Sequence, residues 1–252
     1  AGRGRIRRKI DALEDIFFEA GYEIEPKMLR FGENPFDDVA QDIDLVVICG
    51  GDGTINYVVN AMRAKGLDYP LGIIPAGTAN DFAGAIGVSS RTLKAARQIV
   101  EGQEQRIDCG RVNGLYFVNI FSFGMFTTTS QHTPEKIKRH LGKAAYLIEG
   151  SKELHNREYI PLHIVHDGGE VDVDSTMTLI FNGETAGRFP IARSASIRDG
   201  LLDCMIMRKC TTFQGAWAAT KLLVTGSENE NIIHIRSSKL SITSPLSPLT
   251  DM

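Results

Sequence analysis

The stretch DLVVICGGDGTIN, residues 44–56, carries the clearest structural signal in the chain. Its first half, Asp44 to Cys49, is a short run rich in β-branched residues, which is typical of a buried strand in a parallel sheet. Glycines follow directly, and apolar residues then recur at helical spacing from Ile55 to Met62. The stretch therefore predicts a strand, a glycine-rich turn and a helix, the first half of a βαβ unit.

Similar elements lie on either side of this stretch. Apolar residues recur at helical spacing from Ile6 to Ala20 and predict an amphipathic helix. Leu71–Ile74 predicts a second strand, followed by a loop and by a helix that opens at Asp81, and a further helix is expected up to Glu101. Strands that alternate with helices predict an α/β domain with a parallel sheet, spanning residues 1–107.

The pattern changes after residue 107. Asn113-Gly114 separates two apolar runs and is the residue pair that best suits a type I′ hairpin turn. A long helix is expected from Glu135, and another over Thr212–Val224. Residues 108–252 are predicted to form a mostly antiparallel β-sandwich domain with inserted helices. Its other strands are expected at Ile160–His166, Val171–Val173, Thr176–Asn182, Leu201–Met207, Ile232–Ile235 and Leu240–Ile242.

The composition of the 252-residue chain is that of an ordinary globular protein, with 42% apolar and 23% charged residues. A net charge of −3 gives no overall attraction to nucleic acid, so DNA and RNA are not expected partners. The cysteines are scattered and form no CxxC pair, which favours a reducing compartment over a disulfide framework or a zinc site. No apolar run approaches the roughly 20 residues of a transmembrane segment. We therefore expect a cytoplasmic protein that is at most peripheral to a membrane.

The glycine-rich turn is a candidate phosphate site. Gly50, Gly51 and Gly53 lack a Cβ, so the backbone can bring its N–H groups close to phosphate oxygens. Thr54 is expected to cap the following helix, whose N-terminal N–H groups and partial positive charge favour a polyphosphate. Asp52 would repel phosphate unless it faces a magnesium ion, a bridging water or the proton of an accepting hydroxyl. Ordinary turns use the same residues, so this loop alone does not distinguish a phosphate site from a simple turn.

A second loop, Pro75 to Asp81, also leaves a strand and enters a helix. Loops at the carboxyl ends of neighbouring parallel strands converge on one crevice, where such folds bind ligands. Thr78 and Asn80 supply hydroxyl and amide groups for phosphate or ribose, while Asp81 supplies a second carboxylate for a metal shell. The two loops are therefore expected to hold one nucleotide.

Signatures of several other enzyme classes are absent from the sequence. It contains no GxxxxGK[ST] P-loop, no HRD with DFG, no complete GxGxxG after a strand and no GxSxG. Its histidines show no HExxH spacing. These absences exclude a Walker ATPase, a protein kinase and a serine hydrolase, and they assign no chemistry to the histidines.

Several motifs together resemble the diacylglycerol kinase catalytic-domain family of lipid kinases, particularly its bacterial members, with sphingosine and ceramide kinases as more distant relatives. The motifs are GGDGTIN at 50–56, GIIPAGTANDFA at 72–83 and IRDGLLD at 197–203. The resemblance implies a nucleotide-binding α/β domain similar to those of NAD kinases and phosphofructokinases. It also implies a β-sandwich domain after it, with catalysis in the cleft between the two.

The resemblance further implies roles for individual residues. Asp52, Asp81 and Asp108 are expected to form an acidic network around the Mg²⁺ of a bound ATP. A further Mg²⁺ is expected at the Asp199 carboxylate and the backbone carbonyls of Ser196 and Leu201, although the spacing alone would also fit a turn. The full candidate nucleotide site consists of Gly50, Gly51, Asp52, Gly53, Thr54, Ile55, Asn56, Thr78, Asn80, Asp81 and Asp108.

The chain departs from the family pattern at both ends. The chain begins at Ala1-Gly2-Arg3-Gly4, whereas family members usually have a first strand and an Asn-Pro just upstream of that turn, and this first strand is absent here. They also usually continue into an Asp-Gly-Glu whose acidic residues include the proposed general base, whereas this chain stops at Met252. The sequence is therefore expected to be a fragment. Asp52 is a provisional catalytic assignment, with the base expected beyond residue 252.

The sequence thus predicts a magnesium-dependent kinase that transfers the γ-phosphoryl group of ATP to the hydroxyl of a lipid at the membrane surface. Diacylglycerol is the default acceptor by resemblance. An NAD kinase-like small-molecule kinase and a nucleotide-binding module without catalysis are the alternatives, and the stretch Gly77–Phe82 favours lipid kinases over NAD kinases. The sequence does not name the lipid, and the oligomeric state stays open, with a homodimer as one option.

Overall fold

The computed structural model describes residues 9–30, 32–38, 43–124, 159–225 and 229–245. Contacts divide the chain into two units. The first contains the described residues up to Asn119 together with Thr185–Arg188, and the second contains the other described residues. None of the helices in these ranges is both long enough and apolar enough to cross a membrane.

Two parallel strands form the centre of the first unit. They are in register from Val46 opposite Leu71 to Gly50 opposite Pro75. Strand, turn and helix follow one another as the sequence predicts, because the β-branched run ends in glycines that a helix can follow. The elements of the unit are α1 (Ile10–Glu19), β1 (Val46–Gly50), α2 (Asp52–Ala64), β2 (Leu71–Pro75), α3 (Asp81–Ala85), α4 (Thr92–Glu101), β3 (Gly110–Val112), β4 (Leu115–Phe117) and, from later in the chain, β8 (Thr185–Ala186).

Helices lie on both faces of the strand pair β1–β2. Neighbouring residues of a strand point to opposite faces, so Ile73 and Ile74 belong to different apolar clusters. Ile73 packs with the buried side of α2, whereas Ile74 packs with Leu13 and Phe17 of α1 and with Ala96 of α4. The mixed α/β character predicted for this part of the chain is confirmed.

The β3–β4 hairpin is attached to α2 by asparagine side chains. Asn113 and Gly114 have φ of 47° and 92°, the left-handed conformations that a type I′ turn needs. The Asn60 carboxamide donates to the Tyr116 carbonyl and accepts from the Tyr116 N–H, each at 2.8 Å. These contacts keep the hairpin with the first unit, beyond the boundary after residue 107 that the sequence suggested.

The second unit contains a six-stranded sheet in which every strand pairing is antiparallel. Its order is β11-β10-β7-β6-β12, and β5 pairs with the later part of β7. The mostly antiparallel character is as predicted, while the β-sandwich, which needs two facing sheets, stays a prediction. The elements are β5 (Ile120–Gly124), β6 (Ile160–His166), β7 (Gly169–Phe181), β9 (Phe189–Pro190), β10 (Leu202–Arg208), α5 (Thr212–Thr225), β11 (Ile232–Ser237) and β12 (Ser241–Thr243).

Strand β7 differs from the sequence prediction of two strands, Val171–Val173 and Thr176–Asn182. It is continuous because the polar residues between those runs are paired on both sides. Ser175 lies opposite Ile160 of β6 and opposite Arg208 of β10, and its hydroxyl is 3.0 Å from that of Thr178. The helix predicted from Glu135 lies outside the described residues, as does the first part of the helix predicted from Ile6.

Candidate active site

The loop after β1 leaves the N-terminus of helix α2 without a side-chain cap. The helix begins at Asp52, and its N-cap is Gly51, whose backbone is extended with φ −103° and ψ −176°. The prediction that Thr54 caps this helix is wrong, because Thr54 already lies in the first turn, where its N–H donates to the Gly51 carbonyl at 2.9 Å. The first N–H groups of the helix, those of Asp52 and Gly53, therefore have no partner within it. They add a partial positive charge at this end.

Glycines allow the two candidate loops to lie against each other. The Ala76 N–H donates to the Gly50 carbonyl at 2.9 Å, which extends the β1–β2 pairing into the loops. A Cβ on Gly77 would lie 2.5 Å from the Cα of Gly51, so no larger side chain fits there without separating the loops. At Gly53, by contrast, an added Cβ would meet nothing within 4 Å. Gly53 is thus not required by packing.

The Asp52 carboxylate connects the first loop to the start of helix α3. One oxygen accepts the Phe82 N–H at 2.9 Å, and the other accepts the Asp81 N–H at 3.2 Å. Such bonds fix the direction of the side chain. A carboxylate has about four lone-pair positions, so Asp52 keeps acceptor capacity for a metal ion or a water.

Asn80 shapes the second loop. It adopts a left-handed conformation with φ 56°, which asparagine tolerates better than most residues. Its carboxamide accepts the Gly77 N–H at 2.8 Å and donates to the Gly77 carbonyl at 3.1 Å. The side chain predicted to contact a ligand is therefore engaged within its own loop. Thr78, at the tip of the loop, is exposed.

The Asp81 carboxylate is buried and faces a segment that the sequence analysis did not identify. One of its oxygens accepts the Thr185 hydroxyl at 3.0 Å and the Arg188 N–H at 2.7 Å, and the other accepts the Gly187 N–H at 2.7 Å. These donors take three of the about four lone-pair positions of the carboxylate, and the role of Asp81 as a metal ligand stays a prediction. No local pattern in the sequence joins residues 104 or more positions apart.

The side chains at the end of the first motif serve the packing of helix α2. Ile55 is 1% exposed and belongs to the core of the first unit. The Asn56 carboxamide oxygen accepts the Val118 N–H at 3.0 Å. The side chain of Ile55 is therefore closed to a ligand, and any contact of that residue would come from its backbone.

The predicted acidic network is brought together only in part. The Asp52 carboxylate accepts the backbone N–H of Asp81 at the start of α3, and Asp108 lies half-buried in the segment between α4 and β3. Across the described ranges, no three or more His, Cys, Asp or Glu residues form a group that could hold a metal ion. Asp52 fits the predicted role because it retains free lone pairs. The network of all three carboxylates stays a prediction.

The third motif contains an ion pair where a second magnesium is predicted. The Arg236 guanidinium donates to one oxygen of Asp199 at 2.6 Å, and the Leu201 N–H donates to the other at 3.0 Å. The Ser196 hydroxyl accepts the Arg198 N–H at 3.3 Å. As these side chains stand, they fit an ion pair rather than a cation site. The metal roles of Ser196, Asp199 and Leu201 stay predictions.

The known proteins that this chain resembles are diacylglycerol kinases. The family model for the diacylglycerol kinase catalytic domain matches residues 1–112. A diacylglycerol kinase of Bacillus subtilis strain 168 is 31% identical over 249 residues, which are 96% of this chain and 82% of that protein. One from Staphylococcus aureus strain RF122/ET3-1 is 32% identical over 215 residues, which are 83% of this chain and 68% of that protein.

A solved structure agrees with these sequences. The crystal structure of a diacylglycerol kinase from Bacillus anthracis strain Sterne matches with a TM-score of 0.62 and 25% identity. The match covers 81% of this chain and 67% of that chain. Together with the curated relatives, it confirms the family resemblance that the glycine-rich motifs carry. The chain belongs to the diacylglycerol kinase family.

Proposed function

We propose that this chain is an ATP-dependent lipid kinase whose nucleotide phosphates lie against the loop from Gly50 to Thr54. One observation carries the proposal: helix α2 has no side-chain cap, and the backbone at Gly53 faces open space. The N–H groups of Asp52 and Gly53 therefore have no partner within the helix and can donate to phosphate oxygens. The family membership supports the same reaction class.

Different residues of the first unit would bind different parts of the nucleotide. The loop N–H groups would bind the phosphates, and the partial charge of α2 would offset part of their negative charge. Thr78 and the backbone of the second loop would contact phosphate or ribose. Asp52 would hold the Mg²⁺ that accompanies the nucleotide, an ion that neutralises phosphate charge when bound. Phosphoryl transfer depends mainly on positioning and on such charge neutralisation.

Asp52 is also the provisional catalytic carboxylate. Its bonds to the N–H groups of Asp81 and Phe82 hold it beside the loop, so a lipid hydroxyl arriving there could transfer its proton to the remaining lone pairs. The hydroxyl oxygen would form a bond to the γ-phosphorus, and the bond from that phosphorus to the bridging oxygen of ADP would break.

The acceptor is proposed to be diacylglycerol or a related lipid at a membrane surface. The relatives from B. subtilis and S. aureus are called diacylglycerol kinases, which supports this choice. One observation favours the alternative of a nucleotide-binding module without catalysis: the carboxylates of Asp52 and Asp81 are both hydrogen bonded within the protein. Binding and transfer therefore have to be measured separately.

The test uses the full-length protein, Mg²⁺ and ATP labelled in the γ-phosphoryl group. Vesicles containing diacylglycerol or phosphatidylglycerol, and free NAD, are offered as acceptors. We expect label in a phospholipid, and we expect Asp52→Asn to abolish the transfer while preserving the fold. Asp15→Asn, at an exposed position of α1, is the matched control and should transfer normally.

The other outcomes discriminate among the alternatives. Label in NADP would support an NAD kinase. ATP binding without label in any acceptor would support the module without catalysis. Retained transfer in Asp52→Asn would remove Asp52 from the mechanism, and absence of ATP binding would contradict the proposal as a whole.

A further inference from the structure

The segment Thr185–Arg188 is fixed to the second candidate loop. Its N–H and hydroxyl groups donate to the buried Asp81 carboxylate, as described above. Asp81 begins helix α3, whose first N–H groups are in turn accepted by Asp52. Asp81 thus connects the segment Thr185–Arg188 by hydrogen bonds to Asp52, in the loop of the proposed phosphate site.

Arg188 adds a direct side-chain contact. Its guanidinium donates from Nε to the Ala79 carbonyl at 3.1 Å and from Nη2 to the Thr78 carbonyl at 2.5 Å. Two adjacent carbonyls of one loop are therefore held by one planar fork. A lysine could not reproduce this contact, because it presents a single ammonium group rather than a fixed fork of donors.

The backbone of Arg188 indicates that its position is specified by these contacts. Its φ is 70°, a left-handed conformation that costs free energy for arginine but not for glycine. The strain persists because the Arg188 N–H is held by Asp81 at 2.7 Å while the guanidinium is held by the loop. A glycine would adopt the same backbone without strain but would lose the guanidinium.

We propose that Arg188 is a positioning residue for the nucleotide site, an inference that rests on the proposed function. By holding the carbonyls of Thr78 and Ala79, it fixes the backbone of the second loop, which lies against the first loop at Gly77 and Gly51. Its guanidinium also places a positive charge against the loop that precedes Asp81. This charge reduces the repulsion that acidic residues exert on a triphosphate. Arg188 therefore affects nucleotide binding indirectly, through the position of the second loop.

The test compares three variants of the full-length protein: Arg188→Met, Arg188→Lys and Arg188→Gly. Calorimetric titration with ATP and Mg²⁺ gives the Kd, assays with diacylglycerol vesicles give KM and kcat, and thermal unfolding gives the Tm. We expect the Kd and KM for ATP to rise about tenfold in Arg188→Met, with a smaller rise in Arg188→Lys. Arg97→Met, at an exposed position of α4, is the control and should leave all values unchanged.

Arg188→Gly separates positioning from general stability. The relief of backbone strain should leave its Tm equal to or above that of the natural protein, whereas its Kd for ATP should rise as in Arg188→Met. A Kd unchanged in both Arg188→Met and Arg188→Gly would overturn the inference. So would a Kd that weakens only in variants whose Tm also falls.

The design also separates this inference from the proposed function. If the natural protein binds ATP but labels no lipid, the lipid kinase proposal fails, and the Kd values still decide the role of Arg188. If the protein labels lipid with the same KM for ATP in every variant, the lipid kinase proposal stands and the role of Arg188 is refuted. If the natural protein binds no ATP, both are overturned.

Discussion

Replacing Gly53 by alanine should strengthen the fold and weaken nucleotide binding. Gly53 lies in the first turn of helix α2, and an added Cβ would meet no atom within 4 Å, so the protein itself offers no steric objection. Its φ is not in the left-handed region either, since Gly53 is not among the glycines with positive φ. If the glycine is needed, the need comes from a ligand.

The size of the stability change follows from the helical position. Alanine in a helix is favoured over glycine by roughly 0.5–1 kcal/mol, mainly because glycine loses more conformational freedom on folding. For a chain of this length, a change of that size corresponds to a rise in Tm of about 1–4 °C. The opposite change is expected in binding. A methyl group between the loop N–H groups and a phosphate should weaken the Kd for ATP about tenfold or more, or about 1.4 kcal/mol.

Thermal unfolding and calorimetric titration with ATP and Mg²⁺ measure both changes on one preparation of the full-length protein. Gly84→Ala is the matched control, because Gly84, like Gly53, is an exposed helical glycine with open space around its missing Cβ, but it lies in α3 outside both candidate loops. The control should gain a similar stability with no change in Kd. A Gly53→Ala variant that binds ATP as tightly as the natural protein would refute the placement of phosphates against this loop.

Other changes address the remaining features of the two units. Gly77→Ala should destabilise the protein by about 1–3 kcal/mol in urea unfolding, because its Cβ would lie 2.5 Å from the Cα of Gly51; an unchanged midpoint would show that the loops are not in contact. For the fully buried Asp203, burial alone would raise the pKa, but hydrogen bonds from His234 and Ser194 and nearby positive charges hold the pKa below its usual value. The pKa of Asp203 is lower in the folded than in the unfolded protein, so its contribution to stability is present above pH of about 4 and is lost as the pH falls further. In Asp203→Asn, the free energy of unfolding should therefore fall less steeply below pH of about 4 than in the natural protein. An equally steep fall in both proteins would show that Asp203 does not cause it. If a second Mg²⁺ binds at Asp199, adding the ion without nucleotide should raise the Tm of the natural protein but not of Asp199→Ala, and equal responses would count against that site.

Local features of the chain were predictable, and contacts between distant residues were not. The strand from Val46, the glycine-rich turn and helix α2 follow one another in sequence, so periodicity and glycine chemistry suffice to place them. The turn at Asn113-Gly114 was predictable for the same reason. Helix α2 starts earlier than the predicted cap at Thr54 implies, because Gly51 is the N-cap and the negative charge of Asp52 is favourable in a first helical turn.

No local pattern in the sequence indicates the hydrogen-bond partners of the acidic residues. Asp81 is predicted to face a metal ion, but its carboxylate accepts hydrogen bonds from Thr185, Gly187 and Arg188, more than 100 positions away. Only the fold brings those donors to it. The continuity of β7 was missed for a related reason: the polar stretch around Ser175 resembles a break until its neighbours on β6 and β10 are known.

The central claim is that nucleotide phosphates lie against the N-terminus of helix α2. Hydrogen exchange of the full-length protein, with and without Mg²⁺ and a non-hydrolysable ATP analogue, tests it directly, because the N–H groups of Asp52 and Gly53 have no partner within the helix. A saturating concentration of the analogue should slow exchange in peptides covering residues 50–56 and 76–81. Unchanged exchange in both peptides, with protection appearing elsewhere in the chain, would contradict it.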